Sequence, residues 1–317
     1  MVRRYISELR IGEQVDAVFR LHSREIRPYG NGKLSIQAQL ADKSGTLPAV
    51  MWDASPGQIE SFGKEGLLRV QGVVSQYKNS PQLEIKNFSR EELPFNLEEL
   101  FPWTKEDVRA LQSELEGIVN SLTDPFISPL LKLFLRDEDF MRKFSLNPAS
   151  TSYHHAYLGG LLEHTVAVAR LALQISKSYP ILDRDLLVAG AILHDIGKLR
   201  ELSYQNSFHY TDHGRLVGHL VSGVLMVEEK AAQIKGFLQE RLDLIRHIIL
   251  SHHGETDSNS PRLPMTAEAI AIHYLDNLDA KLQGYQRALA EDKDPESLWT
   301  TRQKMFGDVH LYKKGNK

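Results

Sequence analysis

The chain has 317 residues, enough for about two domains, and its 42% hydrophobic and 25% charged content is that of an ordinary globular protein. Its formal net charge is −3, so a nucleic acid or other polyanion would have to be met by a local basic patch rather than a global field. There are no cysteines, which excludes disulfides, thiolate metal sites and a cysteine nucleophile.

The first residues, "MVRRYISELRIGEQ", are basic but lack the continuous apolar core of a secretory signal. No stretch approaches the roughly 20 apolar residues of a membrane helix. A cytoplasmic protein with no membrane partner is therefore expected. Residues 12–88 read as β structure. "VDAVFRLH" alternates through Val15, Ala17, Phe19 and Leu21, and "KLSIQAQLAD" through Leu34, Ile36, Ala38 and Leu40. Turns are expected at "DKSG" (42–45) and "KNSP" (78–81). Five short strands in about 80 residues predict an all-β, OB-fold-like barrel over residues 1–90.

Residues 91–150 change to a helical period punctuated by Pro94, Pro102, Pro125 and Pro129, and read as a connector of short helices. From residue 151 to 317 the chain predicts an all-α bundle. Helices are expected at about 156–178, 184–196, 215–232, 240–252 and 266–290, with Gly197 and Gly254 as C-terminal caps.

Of the 13 histidines, all but His22 and His310 fall between 154 and 273. His164 lies in "GGLLEHTVAVARLA". His194 and Asp195 end the apolar run "LLVAGAILHD". His219 lies in "GRLVGHLVSGVL", His252 and His253 close "IRHIILSHHGE", and Asp276 sits in "AIAIHYLDNLDAKL". A single histidine near an apolar helix face is usually a satisfied core residue. Five histidines and two aspartates on five successive helices make a ligand set instead, since imidazole and carboxylate suit borderline divalent metals. Lys198, one turn after His194, reads either as a cation for a scissile phosphate or as a solvated lysine at a helix end. His247 reads as packing and His273 as support for a carboxylate or ligand, while His209 and His213 fall in an expected loop.

The order H…HD…H…HH…D resembles the HD-domain metal-dependent phosphohydrolases. That resemblance implies a binuclear site in which His164, His194, Asp195 and Asp276 hold one divalent ion. Asp195 would bridge to a second, held by His219 and His252 with His253 as an added or substitute ligand. Two such ions activate a water and clamp the phosphoryl oxygens during in-line displacement. The longer motifs "SYHHAYLGGLLEHT" (152–165), "HDIGK" (194–198) and "DHGRLVGH" (212–219), after an OB-like barrel, resemble the bacterial YhaM-type 3′–5′ exoribonucleases across nearly the whole chain. His213 departs from the acidic residue expected before that glycine.

This resemblance implies removal of nucleotides from the 3′ end of single-stranded RNA, and of single-stranded DNA in many members. Mn²⁺ would be the favoured ion, with Mg²⁺, Fe²⁺ or Co²⁺ as alternatives. In the barrel, Arg24, Lys33, Trp52, Tyr77 and Lys78 are candidate substrate contacts, because single-strand binders combine basic side chains with aromatic platforms. Trp52 and Phe88 could equally fill the barrel core. His154 and His155, just before the first ligand helix, are further candidate substrate contacts. Two other readings stand beside this one: a phosphohydrolase of free nucleotides or cyclic dinucleotides, and a nucleic-acid-binding regulatory protein. Homo-oligomerisation is left open.

Overall fold

The computed structural model describes residues 4–30, 32–92, 97–151, 155–204, 208–254, 260–292 and 294–313. The chain divides into two compact units, residues 1–103 with 203–209, and residues 104–202 with 210–317.

The first unit is a closed barrel of β1 (Gln14–Tyr29), β2 (Lys33–Asp42), β3 (Gly45–Met51), β4 (Gly66–Tyr77) and β5 (Ser80–Glu91), in the order β1-β2-β3-β5-β4. Helix α1 (Pro56–Phe62) enters between β3 and β4, which is the OB-fold connectivity. The alternation read from the sequence is what fills it, since Phe19, Leu21, Ile36, Leu40, Leu68 and Leu83 all face inward and are buried. β1 runs further than expected because it serves two partners, β4 through Leu21 and β2 from Arg20 onward. Its register shifts between Leu21 and Ser23, and such a bulge lets one strand curve around a small barrel. Lys78 and Asn79 both have positive φ (48° and 64°), the two-residue hairpin geometry that joins β4 to β5. A short helix α2 (Leu97–Leu100) follows the barrel.

The second unit is all-helical apart from short strands. It comprises α3 (Val108–Asn120), α4 (Ile127–Leu135), α5 (Glu138–Phe144), α6 (Gly160–Ser178), α7 (Arg184–Leu193), α8 (Lys198–Glu201), α9 (Asp212–Leu216), α10 (Gly218–Ala231), α11 (Gln239–Ser251) and α12 (Ala267–Glu291). Every residue from Asp185 to Leu193 is buried, so α7 is the central helix and α6, α11 and α12 pack around it. Packing is tight enough that a Cβ on Gly190 would meet Ile248 and Ile272 at 2.9–3.2 Å.

Two expectations are corrected here. Gly197 does not cap α7. That helix stops at Leu193, and Gly197 has φ −62°, an ordinary right-handed value. Glycine is required at 197 for a different reason: a Cβ there would lie 1.9 Å from the His219 carbonyl, so the start of α8 rests directly on the start of α10. The expected loop around His213 instead contains α9, where His213 Nε2 meets Ser222 Oγ at 2.9 Å. Gly254, at φ +79°, does follow α11 in the left-handed conformation.

Candidate metal centre

The ends and faces of five helices deliver the ligand-type side chains to one place. α6 carries His164. His194 and Asp195 directly follow α7, His219 lies in the first turn of α10, His252 and His253 directly follow α11, and α12 carries Asp276. Asp195 is the divider. Its Oδ2 lies 3.5 Å from His194 Nε2 and 3.6 Å from His164 Nε2, while its Oδ1 lies 3.6 Å from His252 Nε2 and 3.8 Å from His219 Nε2. On the first side Asp276 Oδ1 approaches His164 Nε2 at 3.3 Å. On the second, His219 Nε2 and His253 Nε2 are 3.0 Å apart.

Four of the imidazoles are oriented alike. His194 donates its Nδ1–H to the Ala191 carbonyl and His252 to the Ile249 carbonyl, both at 2.9 Å. His219 Nδ1 donates to Glu201 at 3.0 Å and His164 Nδ1 to Asp279 at 2.7 Å. Each ring therefore turns its Nε2 inward, the tautomer arrangement of metal-bound histidines. Asp195 Oδ1 and His252 Nε2 are buried polar atoms with no hydrogen-bond partner among the described residues. Burying such atoms unsatisfied is costly, and a divalent cation between them would satisfy both. The residues therefore fit a metal.

The electrostatics agree. Burial alone would raise the Asp195 carboxyl, but the Lys198 ammonium, 2.6 Å from Oδ2, and His194 hold it well below the usual carboxylate range. Burial and the neighbouring imidazoles push His252 down, and burial with His219 pushes His253 down to about 4, so both rings are neutral donors at pH 7. His164 goes the other way. Burial disfavours its charge, yet hydrogen bonds to Asp276 and Asp279 raise it to about 10. A metal ion taking that nitrogen would have to displace a proton.

Comparison with known proteins follows the same lines. The HD domain family matches residues 161–281. The 3′–5′ exoribonuclease YhaM of Bacillus subtilis (strain 168) is 34% identical over 290 residues, covering 90% of this chain and 91% of the relative. The chain belongs to the YhaM family of 3′–5′ exoribonucleases. The YhaM of Geobacillus sp. (strain WCH70) is 35% identical over 293 residues, with 90% and 88% covered. Among solved structures, the second OB-fold domain of replication protein A from Methanococcus maripaludis aligns with 29% of this chain and 98% of its own at 16% identity. Its TM-score is 0.23, so the barrel's class rests on its own strand order.

For this YhaM-family chain the structure brings His164, His194, Asp195, His219, His252, His253 and Asp276 together. Two other expectations change. His155 is not placed to touch substrate: it is buried behind His164, with Nε2 2.9 Å from Asp279 and Nδ1 2.8 Å from the Tyr157 hydroxyl. Lys198 is buried rather than solvated, and its ammonium pairs with Asp195 Oδ2 at 2.6 Å. His154 lies outside the described residues. His273 supports the site through backbone, its Nδ1 donating to the His252 carbonyl at 2.8 Å. His247 Nε2 accepts from the Met265 amide at 2.9 Å.

Sequence reasoning missed Asp279 and Glu201, the carboxylates behind His164 and His219. Each stands three residues after a singled-out residue, Asp276 and Lys198, and that helical spacing was the available signal.

In the barrel, Trp52 is 44% exposed and packs edge-on against Tyr29 at 4.8 Å, so it does not fill the core. Phe88 does pack on the core, against Phe62. Lys33 pairs with Asp53 at 2.9 Å, and Arg24 donates to the Ile59 carbonyl at 2.6 Å. Tyr77 is 56% exposed, with Lys78 Nζ 5.4 Å from its ring centre.

Proposed function

We infer that the chain is a metal-dependent 3′–5′ exoribonuclease whose helical unit hydrolyses the terminal phosphodiester of single-stranded RNA, releasing nucleoside 5′-monophosphates. The observation that carries the site assignment is the two-sided Asp195, with three ligand-type side chains on each of its oxygens' sides. His164, His194 and Asp276 would hold one divalent ion with Asp195 Oδ2, and His219, His252 and His253 a second with Oδ1. The mixed imidazole and carboxylate set suits Mn²⁺, as well as Fe²⁺ or Co²⁺. A divalent metal bound there supplies Lewis acidity and an activated water for displacement at phosphorus.

The chain's own residues do the rest. Lys198 keeps Asp195 ionised in a buried position, where an unpaired carboxylate would otherwise take up a proton. Asp279 and Glu201 fix the tautomers of His164 and His219. The barrel, residues 1–90, is the single-strand holder, with the exposed rings of Trp52 and Tyr77 as stacking platforms and Lys33 and Lys78 beside them. Single-stranded DNA offers the same phosphates and base faces and is the alternative substrate.

The test is 5′-labelled single-stranded RNA incubated with Mn²⁺ or with chelator. A ladder shortening from the 3′ end, with nucleoside 5′-monophosphates as product, is expected only with metal. Turnover of a free nucleotide with no shortening of RNA would overturn the reading.

A further inference from the structure

Just before α6 the backbone folds back on itself. His155 has φ +48° and Gly159 φ +81°, and the Gly160 amide donates to the Tyr157 carbonyl at 3.1 Å. Neighbouring segments hold this turn in place. The Thr104 amide donates to the Leu158 carbonyl at 2.9 Å, and the Ala149 amide to the His155 carbonyl at 3.1 Å. The turn lays the Tyr157 ring against that of His155, with centroids 5.6 Å apart, and the His155 ring against that of His164 at 5.4 Å.

The buried His155 ring has a carboxylate on either side. Its Nε2 lies 2.9 Å from Asp279 Oδ2, which also accepts from His164 Nδ1. Its Nδ1 lies 2.8 Å from the Tyr157 hydroxyl and 3.7 Å from Glu163 Oε1. A carboxylate only accepts, so His155 supports Asp279 only with a hydrogen on Nε2. With its hydrogen on Nδ1 instead, the ring would favour Glu163 and turn a bare lone pair toward Asp279. The two carboxylates thus compete for one ring hydrogen.

The Tyr157 hydroxyl decides between them. Donated to Nδ1, it occupies the nitrogen nearer Glu163 and leaves the ring hydrogen on Nε2. Burial, then the Glu163 carboxylate, pushes the Tyr157 phenol well above its ordinary value, so the donor hydrogen is always present. Glu163 is satisfied without the imidazole, because the Thr104 hydroxyl donates to its Oε2.

We propose that Tyr157 is a positioning residue for the metal centre, fixing the His155 ring so that Asp279 is held from both sides and presents His164 with Nε2 inward. Three hydrogen bonds in series carry the effect: Tyr157 to His155, His155 to Asp279, and His164 to Asp279. The proposal rests on the reading of His164 as a metal ligand.

Two measurements on the full chain test this. In apoprotein labelled with ¹⁵N-histidine, the ring signals lost in His155→Gln identify His155, and they should report hydrogen on Nε2. Tyr157→Phe keeps the ring volume and the fold, checked by circular dichroism, and should move a large share of that hydrogen to Nδ1. Calorimetric titration with Mn²⁺ should show Tyr157→Phe binding about 3–10-fold more weakly. That is less than the roughly 10–100-fold cost of losing a ligand's own partner, since Tyr157 acts from further out. Added to His155→Gln, Tyr157→Phe should cost nothing more, because its effect runs through that ring. A wild-type His155 with its hydrogen on Nδ1, an unchanged Mn²⁺ affinity in Tyr157→Phe, or losses that multiply in the double variant would overturn the proposal. A wild type that takes up no Mn²⁺ would instead overturn the metal-site reading beneath it.

Discussion

Asp279 accepts hydrogen bonds from both His164 Nδ1 and His155 Nε2, so the orientation of one predicted ligand depends on two residues that touch no metal. His155 is in turn held by Tyr157, and it adopts a left-handed φ of +48°. A Cβ on Gly160 would come within 2.2 Å of the His155 carbonyl, so the glycine lets the α6 start close over that strained residue. Asp279→Asn and His155→Gln are each expected to weaken metal binding about 10–100-fold, the usual cost of losing a ligand's orienting partner. Titration of the apoprotein with Mn²⁺ by calorimetry checks this. Wild-type affinity in both variants would show that the pair only packs. Gly197→Ala acts by sterics alone. It should destabilise the helical unit by about 1–3 kcal/mol and loosen the His219 side of the centre, read by thermal unfolding and by metal titration.

The helices themselves were legible because their apolar faces are continuous. The residues from Leu186 to Leu193 are buried to the last, and α6, α11 and α12 fall within a few residues of the periodicity that predicts them. Helix ends were less legible, since whether Gly197 caps a helix or admits a neighbouring backbone depends on α10, which begins only at Gly218. The Asp279 and Glu201 supports were hidden for a related reason: a carboxylate on a helix looks the same from sequence whether it faces water or an imidazole. Connections between helices carry their own polar clamps. Asp185, in the first turn of α7, accepts from the Thr123 and Asp124 amides at 2.6 and 2.7 Å and ties α7 to the α3–α4 connection. Burial would raise this carboxyl, but those backbone hydrogen bonds lower it. A carboxyl depressed in the folded state stabilises above its unfolded pKa, and that stability is lost as pH falls through the folded value. Acid unfolding of wild type should therefore include a contribution that Asp185→Asn removes. Asp185→Ala, which strands two amides, should cost about 2–4 kcal/mol by denaturant unfolding at neutral pH.

Across the whole molecule, a barrel and a helical unit have separate apolar cores, and the proposed function assigns binding to the first and chemistry to the second. Trp52→Ala with Tyr77→Ala should weaken single-stranded RNA binding by about 10–100-fold through lost stacking, leaving hydrolysis of a dinucleotide unchanged. An equal loss on both substrates, measured by filter binding and product release, would place the rings in folding rather than binding. The proposed chemistry rests on Asp195 serving two half-sites at once. Metal content after equilibrium dialysis against Mn²⁺ tests this most directly. Wild type should retain two ions per chain, His253→Ala at least the ion of the His164 side, and Asp195→Asn neither. Two ions retained by Asp195→Asn, or one ion in the wild type, would contradict the two-sided carboxylate.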